Sequence, residues 1–275
     1  MPADHGNDRG VSPGVLVAAL AWRARREGLG YLVLGLVPFA VAAGFSVLAT
    51  TILGGGVNDA GTFARFASSY GAHADRVGLG VALLLLPGLV AICAAIAVGL
   101  AVRNLVGSEA SRGGIEALLA CPYRPNDIMI SLLGYLGALA TCYWAAMSTL
   151  GAVVVLTVTW TSGATLSLPA AYLLLALALP LLGAWCATSL SLLINLLYPR
   201  LAQLGTYGLN MSGGSLAGSA ALLPALGVFV VFVFLGPDVG PAALLVIGGG
   251  TTAAVAAVST LVVARRFRPD AVLES

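Results

Sequence analysis

From Ile128 to Pro199 the chain carries no charged side chain, and neither do Gly30 to Leu53 or Val77 to Val102. Runs of this length cannot be folded into a water-covered surface. Soluble domains carry roughly 25% charged residues; here 9% are charged, 59% are hydrophobic and the mean hydropathy is +1.00. The composition therefore excludes an ordinary soluble domain and predicts an integral membrane protein. In lipid every backbone amide and carbonyl must be satisfied within the chain, so apolar runs of about 20 residues are expected to cross as helices.

Six such runs are present: Gly30 to Leu53, Val77 to Val102, Ile128 to about Trp160, Pro169 to Leu197, about Leu204 to Leu235, and Ala242 to Ala264. The breaks between them are a polar outer loop over 54–76, the central segment after Val102, and the short stretches "TSGATLSL", "YPRLAQ" and "GPDVGP". The expected fold class is all-α, a polytopic membrane protein of six transmembrane helices in one domain over 1–275. The fifth run is too long for one crossing. As a helix it would extend about 48 Å, against a hydrocarbon core of about 30 Å. One crossing, a break near Pro224 and a partial re-entrant segment from the outer side would fit it; a tilted, protruding helix is the alternative.

The arginines orient the bundle. Six spans put both termini on one side, together with Arg9, Arg23, Arg25, Arg26, Arg103, Arg112, Arg124, Arg200, Arg265, Arg266 and Arg268. Only Arg65 and Arg76 fall on the other. Positive loops stay cytoplasmic, which places both termini and the central segment inside a cell (plasma or inner) membrane. Ahead of the first span, Ser12 and Pro13 read as a helix start. Val15, Leu16, Ala19 and Leu20 would share a face, and Trp22, Arg23, Arg25 and Arg26 suit a headgroup boundary. An N-terminal amphipathic interfacial helix over 11–27 is expected, with a cytosolic extension of the first span as the alternative. A secretory signal is not, because the arginines follow the apolar stretch.

What the spans lack narrows the function. No ionisable group lies inside them, whereas ion-coupled transporters usually need one to hold the driving ion; backbone carbonyls binding sodium leave that route open. No H-E-x-x-H or Asp-rich pair is present. His5 and His73 are isolated, and Cys93, Cys121, Cys142 and Cys186 have no metal spacing. No metal site or enzymatic activity is expected. The chain also has no G-x-x-x-x-G-K-[ST] loop; the glycine runs at Gly54 and Gly248 read as flexible points at or within spans. If transport is active, its energy is expected from another subunit.

The central segment, "RNLVGSEASRGGIEALLACPYRPND" (Arg103 to Asp127), gathers charge, glycine and proline between two apolar runs. Ser108 can cap a helix there, with Glu109 at its positive end. Ile115, Leu118 and Leu119 recur at i, i+3 and i+4 and form one apolar face, and Cys121-Pro122 stops the helix. Asn126 or Asp127 would cap the next span. A short amphipathic helix over 108–122 is expected, suited either to a groove of a soluble partner or to lipid headgroups.

These residues resemble a family. "EASRGGIEALLACPYRPNDI" is similar to the loop between the second and third spans of type 2 ATP-binding-cassette (ABC) transporter permeases, in which a Glu and three variable residues precede Gly-Thr-Leu-Glu-x-Leu-Leu and a proline. Glu109, Gly113, Ile115, Glu116, Leu118, Leu119 and Pro122 fall at its positions; Gly114 replaces the usual threonine, and the lysine common early in the third span is missing. Importer permeases carry a different loop, and Gly113 comes too early for it. The resemblance implies an exporter permease working as a homo- or heterodimer with a second permease subunit. It also implies cytosolic ATPase partners that bind ATP and Mg, with no cofactor on this chain. It assigns ATPase coupling to Glu109, Arg112, Gly113, Ile115, Glu116, Leu118, Leu119 and Pro122. In such families the first, second and fifth spans line the path. Here the fifth run opens with Asn210, Ser212, Gly214, Ser215 and Gly218, a pathway or dimer seam, or ordinary packing around a G-x-x-x-G. An uncoupled channel or carrier, and a non-transporting membrane scaffold or immunity-type protein, are the other readings. No cargo is specified, although the uncharged spans favour an amphipathic or lipophilic one over a charged one.

Overall fold

The computed structural model describes residues 13–53, 66, 76–111, 125–162, 165–197, 216–235 and 239–266. Among them all regular structure is helical. The elements are α1 (Pro13–Leu53), α2 (Arg76–Ser111), α3 (Pro125–Ser162), α4 (Ala170–Leu197), α5 (Leu216–Val230), α6 (Pro241–Leu244) and α7 (Gly250–Arg266). A π-helical turn, Val231–Leu235, continues α5, and another, Leu245–Gly249, joins α6 to α7. Four stretches are long and apolar enough to cross a membrane: Leu79–Arg103, Asp127–Trp160, Ala170–Leu197 and Pro241–Arg266. Gly28–Gly44 and Leu222–Leu235 are shorter apolar helical stretches.

The α2 helix is the axis of the bundle: α1, α3, α4 and α5 all pack against it. Its sequence explains how. Ala91, Ala94, Ala95, Ala97 and Ala101 are small and buried on several sides, so neighbouring backbones can approach closely. Two glycines mark the tightest crossings. A Cβ on Gly88 would come within 2.6 Å of Phe229 Cδ2 and 3.1 Å of Phe229 Cα on α5. A Cβ on Gly35 of α1 would meet Met147 Cε at 2.6 Å and Ala97 Cβ at 3.0 Å. The main core joins α1, α2 and α3 around Phe39, Val98, Leu136, Tyr143 and Met147, and a second joins α2, α4 and α5 around Leu179, Val228 and Phe232. Between α1 and α2, Phe66 is also described. It is buried against Leu83, Leu84 and Tyr172, its ring edge-on to Tyr172 at 6.3 Å.

Several sequence expectations change. The N-terminal helix and the first span, expected as two elements, are one unbroken helix, α1. "RARREG" contains strong helix formers before its glycine, so nothing there ends the hydrogen-bond ladder. Its buried N-terminal residues are Leu16 and Leu20, while Val15 and Ala19 are exposed. Ser108 does not start a new helix; α2 runs through it to Ser111, and 112–124 lie outside the described residues. Asn126 and Asp127 fall inside the first turn of α3, which Pro125 opens, the usual place for a helix proline. The break expected at Pro224 is absent. The helix passes through it as α-helix to Val230, and a π-helical turn follows at Val231–Leu235. Residues 201–215, where the fifth run was expected to begin, lie outside the described residues. At the other π turn, Leu245–Gly249 contains Gly248 and Gly249 of the second glycine run.

The two glycine environments make opposite predictions. Gly88→Ala forces its Cβ against Phe229 main chain and is expected to destabilise by about 1–3 kcal/mol. Gly137→Ala meets nothing within 4 Å and is expected to be neutral or to stabilise by up to about 1 kcal/mol through helix propensity. Thermal unfolding of the purified variants in detergent should rank them in that order; equal melting temperatures would refute the close α2–α5 crossing.

Candidate functional site

The two sites expected from sequence lie largely beyond the described residues. Glu109 sits in the last turn of α2 and Gly218 in the first turn of α5. Arg112, Gly113, Ile115, Glu116, Leu118, Leu119 and Pro122 lie outside the described residues, as do Asn210, Ser212, Gly214 and Ser215.

What the structure does assemble is an uncharged polar pattern and one groove. Among the described residues, side-chain hydrogen bonds that tie helices together include the following. Tyr143 Oη donates to the Gly28 carbonyl at 2.7 Å, Tyr172 Oη to the Leu83 carbonyl at 2.5 Å, and Trp185 Nε1 to Thr141 Oγ1 at 3.1 Å. Gly28 makes the first of these reachable. A Cβ there would stand 3.3 Å from Leu139 Cδ1 and 3.9 Å from the hydroxyls of Tyr135 and Tyr143. Most other hydroxyls turn back onto their own helix: Ser131 onto Asp127, Thr141 onto Gly137, Thr188 onto Ala184, Ser259 onto Val255. Asn195, near the end of α4, donates its amide to the Ser191 carbonyl at 2.8 Å. This back-bonding satisfies a polar group in an apolar setting without a second helix.

Trp144 and Ser148 are different. Trp144 Nε1 and Ser148 Oγ are both buried and have no hydrogen-bond partner. They stand at i and i+4 on α3, hence on one face. Two orphan groups in contact with an apolar interior are costly.

A groove of about 650 Å³ opens between α3 and α7, with α4 as its floor. It is lined by α3 between Leu133 and Thr141, by α4 between Leu182 and Ser189, and by α7 between Ala253 and Thr260. Among the described residues, no charged side chain lines it. Its signal was present in the sequence as small residues at helical spacing, Gly134, Ala138 and Thr141 on one wall and Ala253, Ala256, Ala257 and Thr260 on the other. A search for charge and motif passes over such residues. Cys93 and Cys186 are buried, Cys142 is exposed, and all three are free. Among the described residues no three His, Cys, Asp or Glu side chains come together. The chain matches no family among known protein families, no curated protein and no solved structure.

Hydroxyl deletions at the two kinds of site should move stability in opposite directions. Ser148→Ala removes an unpartnered buried oxygen and is expected to stabilise by about 1 kcal/mol, while Tyr143→Phe loses an interhelical bond and is expected to destabilise by about 1 kcal/mol. Calorimetry or dye-monitored unfolding in detergent should place wild type between the two. A destabilised Ser148→Ala would mean that the hydroxyl has a partner after all.

Proposed function

We propose that the chain is the membrane-spanning permease subunit of an ABC-type exporter, with six spans and both termini in the cytoplasm. A cytosolic ATPase subunit that binds ATP and Mg would supply the energy, and a second permease subunit would complete the translocation path. The observation that carries this reading is the segment "EASRGGIEALLACPYRPNDI" between two long apolar helices. Its setting is compatible: the residues from Arg112 to Pro122 fall in the sequence between α2, described to Ser111, and α3, described from Pro125. A short amphipathic element held at both ends by rigid helices can pass the movement of a docked ATPase into those helices. In this reading Gly28–Gly44 and Leu222–Leu235 belong to the first and fifth of the six spans. Asn210, Ser212, Gly214, Ser215 and Gly218 would then stand at the start of the fifth span, at the pathway or dimer seam.

The test begins with co-purification of the chain and the ATPase encoded beside it. Glu116→Arg, or Leu118→Ser with Leu119→Ser, is expected to insert normally and to lower transport roughly tenfold while ATP hydrolysis persists, the size of a typical coupling energy. Normal transport by these variants, or a chain that captures no ATPase, would refute the coupling role and favour a channel or scaffold.

Sidedness has its own measurement. A cysteine introduced as Arg112→Cys should react with impermeant maleimide only from the cytoplasmic face, and His73→Cys only from the outer face, in a background with the native cysteines replaced. The reverse pattern would overturn the orientation.

A further inference from the structure

Pro87 stands inside α2. A proline has no amide hydrogen, so it leaves the carbonyl four residues earlier, that of Leu83, without its helical donor. Leu83 is buried, and a buried acceptor left unpaired is costly. The missing donor comes from another helix, because Leu83 is the residue whose carbonyl the Tyr172 hydroxyl bonds. A carbonyl can only accept, so the hydroxyl is the donor. Tyr172 is held in the first turn of α4, its amide on the Pro169 carbonyl at 3.0 Å. The Tyr143–Gly28 bond is of another kind. Residue 32, four beyond Gly28 within α1, is a leucine with an amide of its own. There the tyrosine adds a bond; at Leu83 it replaces one.

The two sides of Pro87 are held differently. Toward Ser111, Gly88 lies against the Phe229 main chain, and buried alanines follow from Ala91 to Ala101. Toward Arg76, Ala82 and Leu86 join the main core and Leu79 packs with Val158 of α3. Leu83 and Leu84 form one buried cluster with Phe66 and Tyr172, packed by Leu166 and Leu168. The Phe66 ring stands edge-on to the Tyr172 ring, so the bond to Leu83 is enclosed by apolar groups. A proline that interrupts the hydrogen-bond ladder is the usual place for a helix to bend. While the cluster stays dry, Tyr172 satisfies the Leu83 carbonyl. Withdrawing Tyr172 leaves water as the replacement, and water reaches the carbonyl only when the cluster opens. The bond and the packing around it therefore part together.

We infer that Pro87 is a hinge in α2 and the Tyr172 hydroxyl its latch. The segment from Arg76 to Leu86 is held while Tyr172 occupies the Leu83 carbonyl, and it swings on Pro87 when water takes that place. The latch belongs to the bundle and needs no ATPase, so its failure leaves the coupling proposal untouched.

Amide hydrogen exchange on the purified chain in nanodiscs tests the device. Tyr172→Phe keeps the ring beside Phe66 and removes the donor. It is expected to speed exchange about tenfold between Arg76 and Leu86, with α2 beyond Ala91 and α4 unchanged, a step located at Pro87. Phe66→Ala, which loosens the cluster, is expected to produce the same step. Pro87→Ala restores the missing amide, and in that background Tyr172→Phe should lose most of its effect. Tyr143→Phe, which removes the bond to Gly28, should produce no step at Pro87. Unchanged exchange in Tyr172→Phe, faster exchange spread evenly along α2 or into α4, or an effect of Tyr172→Phe that persists in full with Pro87→Ala would each overturn the inference. Should Pro87→Ala not fold, the presence or absence of the Tyr172→Phe step at Pro87 decides it.

Discussion

The bundle depends on how closely four helices can approach α2. An apolar environment gives helices no hydrophobic reason to associate, so van der Waals contact and a few hydrogen bonds must hold them. That makes side-chain size at the crossings decisive. Alanines along α2 and glycines at 35 and 88 bring backbones near enough for the larger residues, Phe39, Met147, Val228 and Phe232, to fill the spaces between. The tyrosine bonds from α3 to α1 and from α4 to α2 then fix helices that are already in contact.

Much of this was legible in the sequence, because lipid leaves few choices. Uncharged runs had to be helices; Val77 to Val102 and Ile128 to Trp160 are found inside α2 and α3, and the Pro169 to Leu197 run after its opening proline is α4. Boundaries were harder to read where polar residues happen to be good helix formers. The arginines after Trp22 suggested a change of direction, yet their propensity carries α1 straight through. Ser108 and Glu109 have the chemistry of a helix start, but a helix already under way absorbs them. Pro224 does not break its helix: a proline removes one amide hydrogen bond, and the rest of the ladder carries α5 through it to Val230.

The functional reading divides in the same manner. The central segment stands out in sequence because charge is rare in this chain. The groove does not, because glycine, alanine and threonine at i, i+3 and i+4 look like ordinary packing until the third dimension shows that α3 and α7 diverge around α4. The hydrogen-bond state of its hydroxyls is invisible in sequence. A threonine in a helix can donate backward to its own turn or outward to a ligand, and only the rotamer distinguishes the two.

Those backward donations reach beyond any one site. Proton conduction through a protein needs a continuous file of groups, each passing a hydrogen to the next. Here many of the described serine and threonine hydroxyls between Ser131 and Thr260, Ser148 excepted, close short loops onto carbonyls three or four residues behind them. Each loop is a dead end. Tyr143 and Tyr172, which bridge helices, end on backbone carbonyls, and Trp185 ends on Thr141, which itself bonds the Gly137 carbonyl. The hydroxyls committed in this way pass no hydrogen to one another, so they form no wire along the described part of the bundle.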